Sequence, residues 1–133
     1  MRKLFKDGVY HRGVYFPKDL QVVICYLLSK PLYVKPSLHY FEKANKWKLS
    51  KGAYKTALHG EIIEAEINDG QVVKIVTRIQ DKFTPKYSMC FAIQLEDLKG
   101  TEEKGTVVIK TVWRNCEDDN HTTLDRTKYL HKI

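Results

Sequence analysis

Apolar positions in this chain change period once, near Gly60. Before that point they recur at three- and four-residue spacing, and after it they alternate. Leu20, Val23, Ile24, Leu27 and Leu28 make one helical stripe, and Pro17 suits a first helical position, so a core-packing helix is expected over 17–29. A second helix is expected after Pro36, with Ser37 as N-cap, running through Leu38, Phe41, Ala44 and Trp47. A third, shorter one covers 51–58 and closes at His59 and Gly60. Upstream, residues 4–16 set Gly8 and Gly13 among aromatic and β-branched residues, which points to a short hairpin or an irregular extended arm.

Beyond Gly60, four strand-like runs follow at 61–67, 71–79, 87–96 and 106–114, and an antiparallel β-meander is the simplest way to connect them. Alternation assigns faces. Tyr87, Met89, Phe91, Ile93 and Leu95 share one side; Val73, Ile75 and Ile79 oppose Lys74 and Arg78; Val107, Ile109 and Trp113 oppose Lys110 and Arg114. The first turn, Asn68-Asp69-Gly70, reads as a two- or a three-residue loop, and the two differ by a face flip. A three-residue loop sets Glu64 opposite Lys74 and Ile62 opposite Val76, matching like with like, and is the expected one. The expected fold is therefore α+β, with N-terminal helices packed on one face of a four-stranded antiparallel β-meander. The other face is expected to be open and cationic, carrying Lys74, Arg78, Lys110 and Arg114 with Glu64 as counter-charge.

A length of 133 residues with 43% hydrophobic and 11% aromatic residues suits a single domain with a real core. Residues 1–36 would form its arm and amphipathic helix, and 37–133 its helix-then-sheet core. The net charge of +7 favours polyanionic partners, although a solvated cationic surface accounts for it equally well. Cys25, Cys90 and Cys116 show no C-x-x-C spacing, so neither a disulfide framework nor a zinc knuckle is indicated, and a reducing cytoplasm fits best. The longest apolar run, residues 20–28, is too short to span a bilayer, so no membrane partner is expected. No cofactor or metal signature is present. Asp118, Asp119, Asn120 and His121 are consecutive, and such neighbours rarely converge on one ion, so hydrogen-bonded turn chemistry is the better reading.

Metal-free RNA cleavage needs a base for the ribose 2′-hydroxyl, an acid for the leaving oxygen and cations for the charge on the phosphorane. His39 and His121 titrate near neutrality and are the candidates for proton transfer. Arg78 and Arg114 are candidates to grip a phosphate through a bidentate fork, with Lys74, Lys110 and Lys43 adding charge. Each has a bland counterpart: a solvated strand-face cation, a half-buried helix histidine, or a loop histidine that caps backbone groups. Thr123 reads as an N-cap for a short helix over 124–130. Tyr129 in that helix either stacks on a base or folds the tail back onto the sheet.

His39 on a helix, the strands G-E-I-I-E and V-V-K-I-V-T-R, and V-I-K-T-V-W-R-N running into D-D-N-H-T-T-L-D-R-T-K-Y follow one another in order. That series, covering 37–132, resembles small phage and mobile-element proteins related to the RelE, barnase, EndoU and colicin ribonuclease superfamily. The resemblance implies a helix-then-sheet fold and metal-independent RNA cleavage at His39, Arg78, Arg114, His121, Thr123 and Tyr129. It also implies an antitoxin or immunity protein as partner. The leading expectation is thus a cytoplasmic endoribonuclease of toxin or phage-effector type. The alternative is a non-catalytic phage or mobile-element protein that holds nucleic acid or a host factor on the same basic face. A module that binds only protein is a third.

Overall fold

The computed structural model describes residues 5–49, 52–80, 87–96 and 105–116. In chain order these form β1 (Gly8–His11), α1 (Lys18–Leu28), β2 (Leu32–Pro36), α2 (Leu38–Lys46), a 3-10 helix (Ala53–His59), β3 (Glu61–Asn68), β4 (Gln71–Gln80), β5 (Tyr87–Glu96) and β6 (Gly105–Cys116). One sheet contains all six strands in the order β1-β3-β4-β5-β6-β2. Every pair is antiparallel except β2 with β6, which is parallel.

The expected α+β class is present, but the sheet is a six-stranded mixed one rather than a four-stranded antiparallel meander. The meander is its centre, β3 to β6. The two strands missing from the expectation are the edges, of four and five residues, too short for alternation to stand out. Both are set by their surroundings. Pro31 precedes β2 and Pro36 is its last residue, and both keep the segment out of helix. Tyr10 of β1 enters the core beside Ala65, its strand partner on β3.

Three helical segments cover one side of the sheet, and the core lies between. Leu20 and Ile24 of α1, Tyr40 and Ala44 of α2, and Ala57 of the 3-10 helix meet Ile75, Phe91, Ile93, Ile109 and Val112 from the strands. Burying each large aliphatic side chain contributes about 1.5–3 kcal/mol, so this layer supplies most of the driving force for folding. Pro17 is the N-cap of α1 rather than its first residue, its carbonyl accepting from the Leu20 and Gln21 amides. On α2 the buried stripe runs through Tyr40 and Ala44, while the expected Leu38 is 78% exposed. The Ser37 hydroxyl caps α2 as expected, accepting from the Tyr40 amide at 3.0 Å, and also donates to the Lys110 carbonyl at 2.7 Å. Gly60 lets the end of the 3-10 helix close on β4: a Cβ there would lie 2.8 Å from the Arg78 carbonyl oxygen.

Three bulges decide which side chains face which way. At the β3–β4 turn, Asp69 (φ 53°) and Gly70 (φ 75°) both adopt positive φ, and Asn68 pairs with Gln71. This is the two-residue Asp-Gly loop, not the three-residue one, because two positive φ values match the right-handed twist of the strands. The Asp7 carboxylate accepts from both loop amides, at 3.0 and 2.9 Å. Parity is restored one step later: Val73 is an extra residue between the Val72–Ile67 and Lys74–Glu66 pairs, so Lys74 faces Glu66 and Ile75 faces Ala65. Ile63 is the extra residue between Ile62 and Glu64, and Lys110 the one between Ile109 and Thr111.

Candidate nucleic-acid interface

The bulge at Lys110 reverses the second half of β6. Strand partners share a face, so Val112, opposite Phe91, enters the core, and Trp113, opposite Cys90, leaves it. Arg114 lies opposite Met89, a core residue, and so belongs to the helix-covered side rather than to the expected cationic face. Its guanidinium carbon stands 5.5 Å from the centre of the Trp47 ring at the end of α2. Lys46 Nζ approaches the same ring at 5.2 Å.

The side of the sheet away from the helices is not uniformly open either. Toward one end, Ile63, Val76 and Cys90 form a second buried cluster with Trp113 packed against it, and Glu64 is fully buried. Glu64 is therefore no surface counter-charge. Its Oε1 lies 3.6 Å from His11 Nε2 on β1, while His11 Nδ1 accepts the Gly13 amide at 2.8 Å, which assigns the ring proton of a neutral His11 to Nε2. Cys90 packs as a small apolar residue.

The other end of this face is exposed, and the register builds a row across it. Glu66 on β3 pairs with Lys74 on β4, Lys74 with Gln94 on β5, Gln94 with Val108 on β6, and Val108 with Lys35 on β2. Lys110, at the bulge two residues after Val108, is exposed while its neighbour Ile109 is buried in the core, which puts Lys110 on the same side as Val108. Strand spacing and rise put its Cα about 8 Å from that of Lys35. Lys35, Lys74 and Lys110 are all exposed. Two residues before Lys35, on the same side, Tyr33 is 65% exposed, and Lys35 Nζ lies 5.8 Å from its ring centre. Glu66 borders the group beside Lys74, and Glu96 borders it beside Thr106, the strand partner of Tyr33.

The expected site residues are thus distributed over three surfaces. Lys74 and Lys110 stand together on the exposed sheet end. Arg78 shares their face, but near its buried end, 30% exposed, with a terminal guanidinium nitrogen 3.0 Å from Glu61 Oε2 on the adjacent strand. His39 is exposed on α2, with Nδ1 3.9 Å from Glu42 Oε2. Lys43 is half-buried one turn further along. Eight residues separate His39 from Trp47, about 12 Å of helix, so His39 and Arg114 do not meet. His121, Thr123 and Tyr129 lie outside the described residues.

Lys35 and Tyr33 are absent from the sequence-based set, in which residues 32–36 carry no assigned element. Leu32-Tyr33-Val34-Lys35 carries the alternation that marks a half-buried strand, with Leu32 and Val34 packed on the core. Two tyrosines have perturbed hydroxyls: burial raises the pKa of Tyr40, with Tyr54 adding to it, and burial likewise raises that of Tyr10, with Tyr15 adding to it. Among the described residues, no helix is long and apolar enough to cross a membrane, and no three His, Cys, Asp or Glu side chains gather as a metal-binding group. Compared with known proteins, the chain matches no family model, no curated protein sequence and no solved structure.

Proposed function

We propose that this chain binds nucleic acid without cleaving it, through the exposed sheet end that carries Lys35, Lys74 and Lys110. One observation supports this most: the parallel pairing of β2 with β6 puts Lys35, the strand partner of Val108, on the face that already holds Lys74 and Lys110. Lysines on a rigid sheet act as point charges toward phosphates and release condensed counterions when they bind. The strand partner of Lys35 is Val108 rather than a carboxylate, and its Nζ lies 5.8 Å from the centre of the exposed Tyr33 ring. The overall charge of +7 adds long-range attraction.

The ribonuclease reading asks for a base, an acid and paired arginines around one phosphate. His39, Arg78 and Arg114 occupy separate surfaces, and Arg78 is engaged by Glu61. Binding needs none of that convergence. The test is incubation of the full chain with labelled RNA in chelator, scoring retention and integrity together. Retained, intact RNA is the expected result. Cleaved RNA would replace this reading with the enzymatic one, and unretained, intact RNA would refute both.

A further inference from the structure

Resting on that binding reading, we infer that the interface takes single-stranded rather than duplex nucleic acid, with a base stacked on Tyr33 and phosphates held by Lys35, Lys110 and Lys74. The width of the cationic surface is the first reason. Lys35 on β2 and Lys74 on β4 are separated by β6 and β5, three strand spacings, or about 14 Å between backbones. The major groove of a duplex is about 12 Å wide and accepts a two-stranded ribbon. A face with its charges spread over four neighbouring strands does not fit inside it. Against a duplex this surface reaches only the outer phosphates, whereas a flexible single strand lies across it and reaches each lysine in turn.

Tyr33 is the second reason. An aromatic side chain 65% exposed on a strand, two residues from Lys35 and on the same side, has given up burial that Leu32 and Val34 obtain on the other side of β2. Stacking on an unpaired base recovers that contact area, and every base offers a π-face, so the preference is for strandedness rather than for sequence. Bases in a duplex are already stacked on one another and closed to Tyr33. The β6 partner of Tyr33 is Thr106, a small side chain that leaves room for a base over the edge of the sheet.

Fluorescence anisotropy of the full chain with a short unstructured pyrimidine oligonucleotide, and with a duplex of the same length, tests this at several salt concentrations. The single strand should bind more tightly. Tyr33→Ala should weaken its binding roughly five- to hundred-fold with the salt dependence unchanged, while Tyr33→Phe should bind as the parent does. Thermal melting confirms that both variants fold. Duplex binding as tight as single-strand binding, or a Tyr33→Ala variant that binds normally, would overturn this inference and leave the binding reading intact. Failure to bind either probe would overturn both.

Discussion

Arg114 and Trp47 stand together on the helix-covered side of the sheet, with the guanidinium carbon 5.5 Å from the centre of the indole ring. Arg114 arrives there because Lys110 is an extra residue in β6, which turns every later side chain of the strand over. Its role is therefore to pack on α2, not to join the lysines. Arg114→Gln should lower stability by about 0.5–1 kcal/mol, the scale of an exposed cation–π contact. It should change oligonucleotide affinity less than Lys110→Gln does. Urea denaturation and anisotropy on the two variants check this; equal losses of affinity would relocate the interface toward α2.

The bulges also mark what could and could not be read from the residues. Alternation identified β3 to β6 and the core face of β5, because each run is long and regularly patterned. It misplaced Arg114 and Trp113, since one extra residue reverses parity and leaves no trace in composition. The two-residue turn was obscured in the same way, because the extra residue Val73 restores the parity of a three-residue loop, although Glu64 pairs with Val76 and Ile62 with Thr77 rather than with the expected Lys74 and Val76. Lys74 and Lys110 were legible as exposed strand cations. Lys35 and Tyr33 were not, since the short edge strand that carries them sits between two helices and takes its place from the parallel contact with β6. His11 was hidden too: its partner Glu64 is 53 positions away, and only the pairing of β1 with β3 brings them together.

Ser37 makes two bonds with one hydroxyl, to the Tyr40 amide and to the Lys110 carbonyl. Ser37→Ala should cost about 1–2 kcal/mol, the upper range for loss of an N-cap, because the tie to β6 is lost as well. Chemical denaturation measures it. A cost near zero would mean that water replaces both bonds.

Tyr40 is buried, and its hydroxyl has no hydrogen-bond partner among the described residues. Tyr40→Phe removes a desolvated polar atom and keeps the stacking on Phe91, so stability at neutral pH should be unchanged or rise by up to about 1 kcal/mol. The alkaline limb separates the two proteins further. Burial, and then Tyr54, raise the folded-state pKa of Tyr40 above its ordinary value of 10.0. The protonated form is thus favoured in the folded state. That contribution is fully present below pH 10 and is lost as pH climbs through the folded pKa. Denaturation midpoints above pH 10 should fall more steeply for the parent than for Tyr40→Phe. Parallel curves would show that the hydroxyl is hydrated.

His11 and Glu64 form a buried pair that joins the N-terminal strand to the sheet, at 3.6 Å. His11→Ala removes a buried side chain that faces Glu64, together with the bond from the Gly13 amide, and should destabilise the fold by about 1–3 kcal/mol. Glu64→Gln retains an acceptor toward Nε2 and should cost less. Urea denaturation ranks the two, and the reverse order would require the charge on Glu64, rather than its acceptor oxygen, to hold the arm.

The central claim is that Lys35 and Lys110, joined on one sheet face by strand pairing, contact phosphates. The salt dependence of oligonucleotide binding measures this directly, because each phosphate contact adds about 0.7 to the logarithmic slope for a single strand. Lys35→Gln/Lys110→Gln should weaken binding and reduce the slope by about 1.4, with unfolding unchanged. A double variant that keeps the parent's affinity and slope would contradict the account.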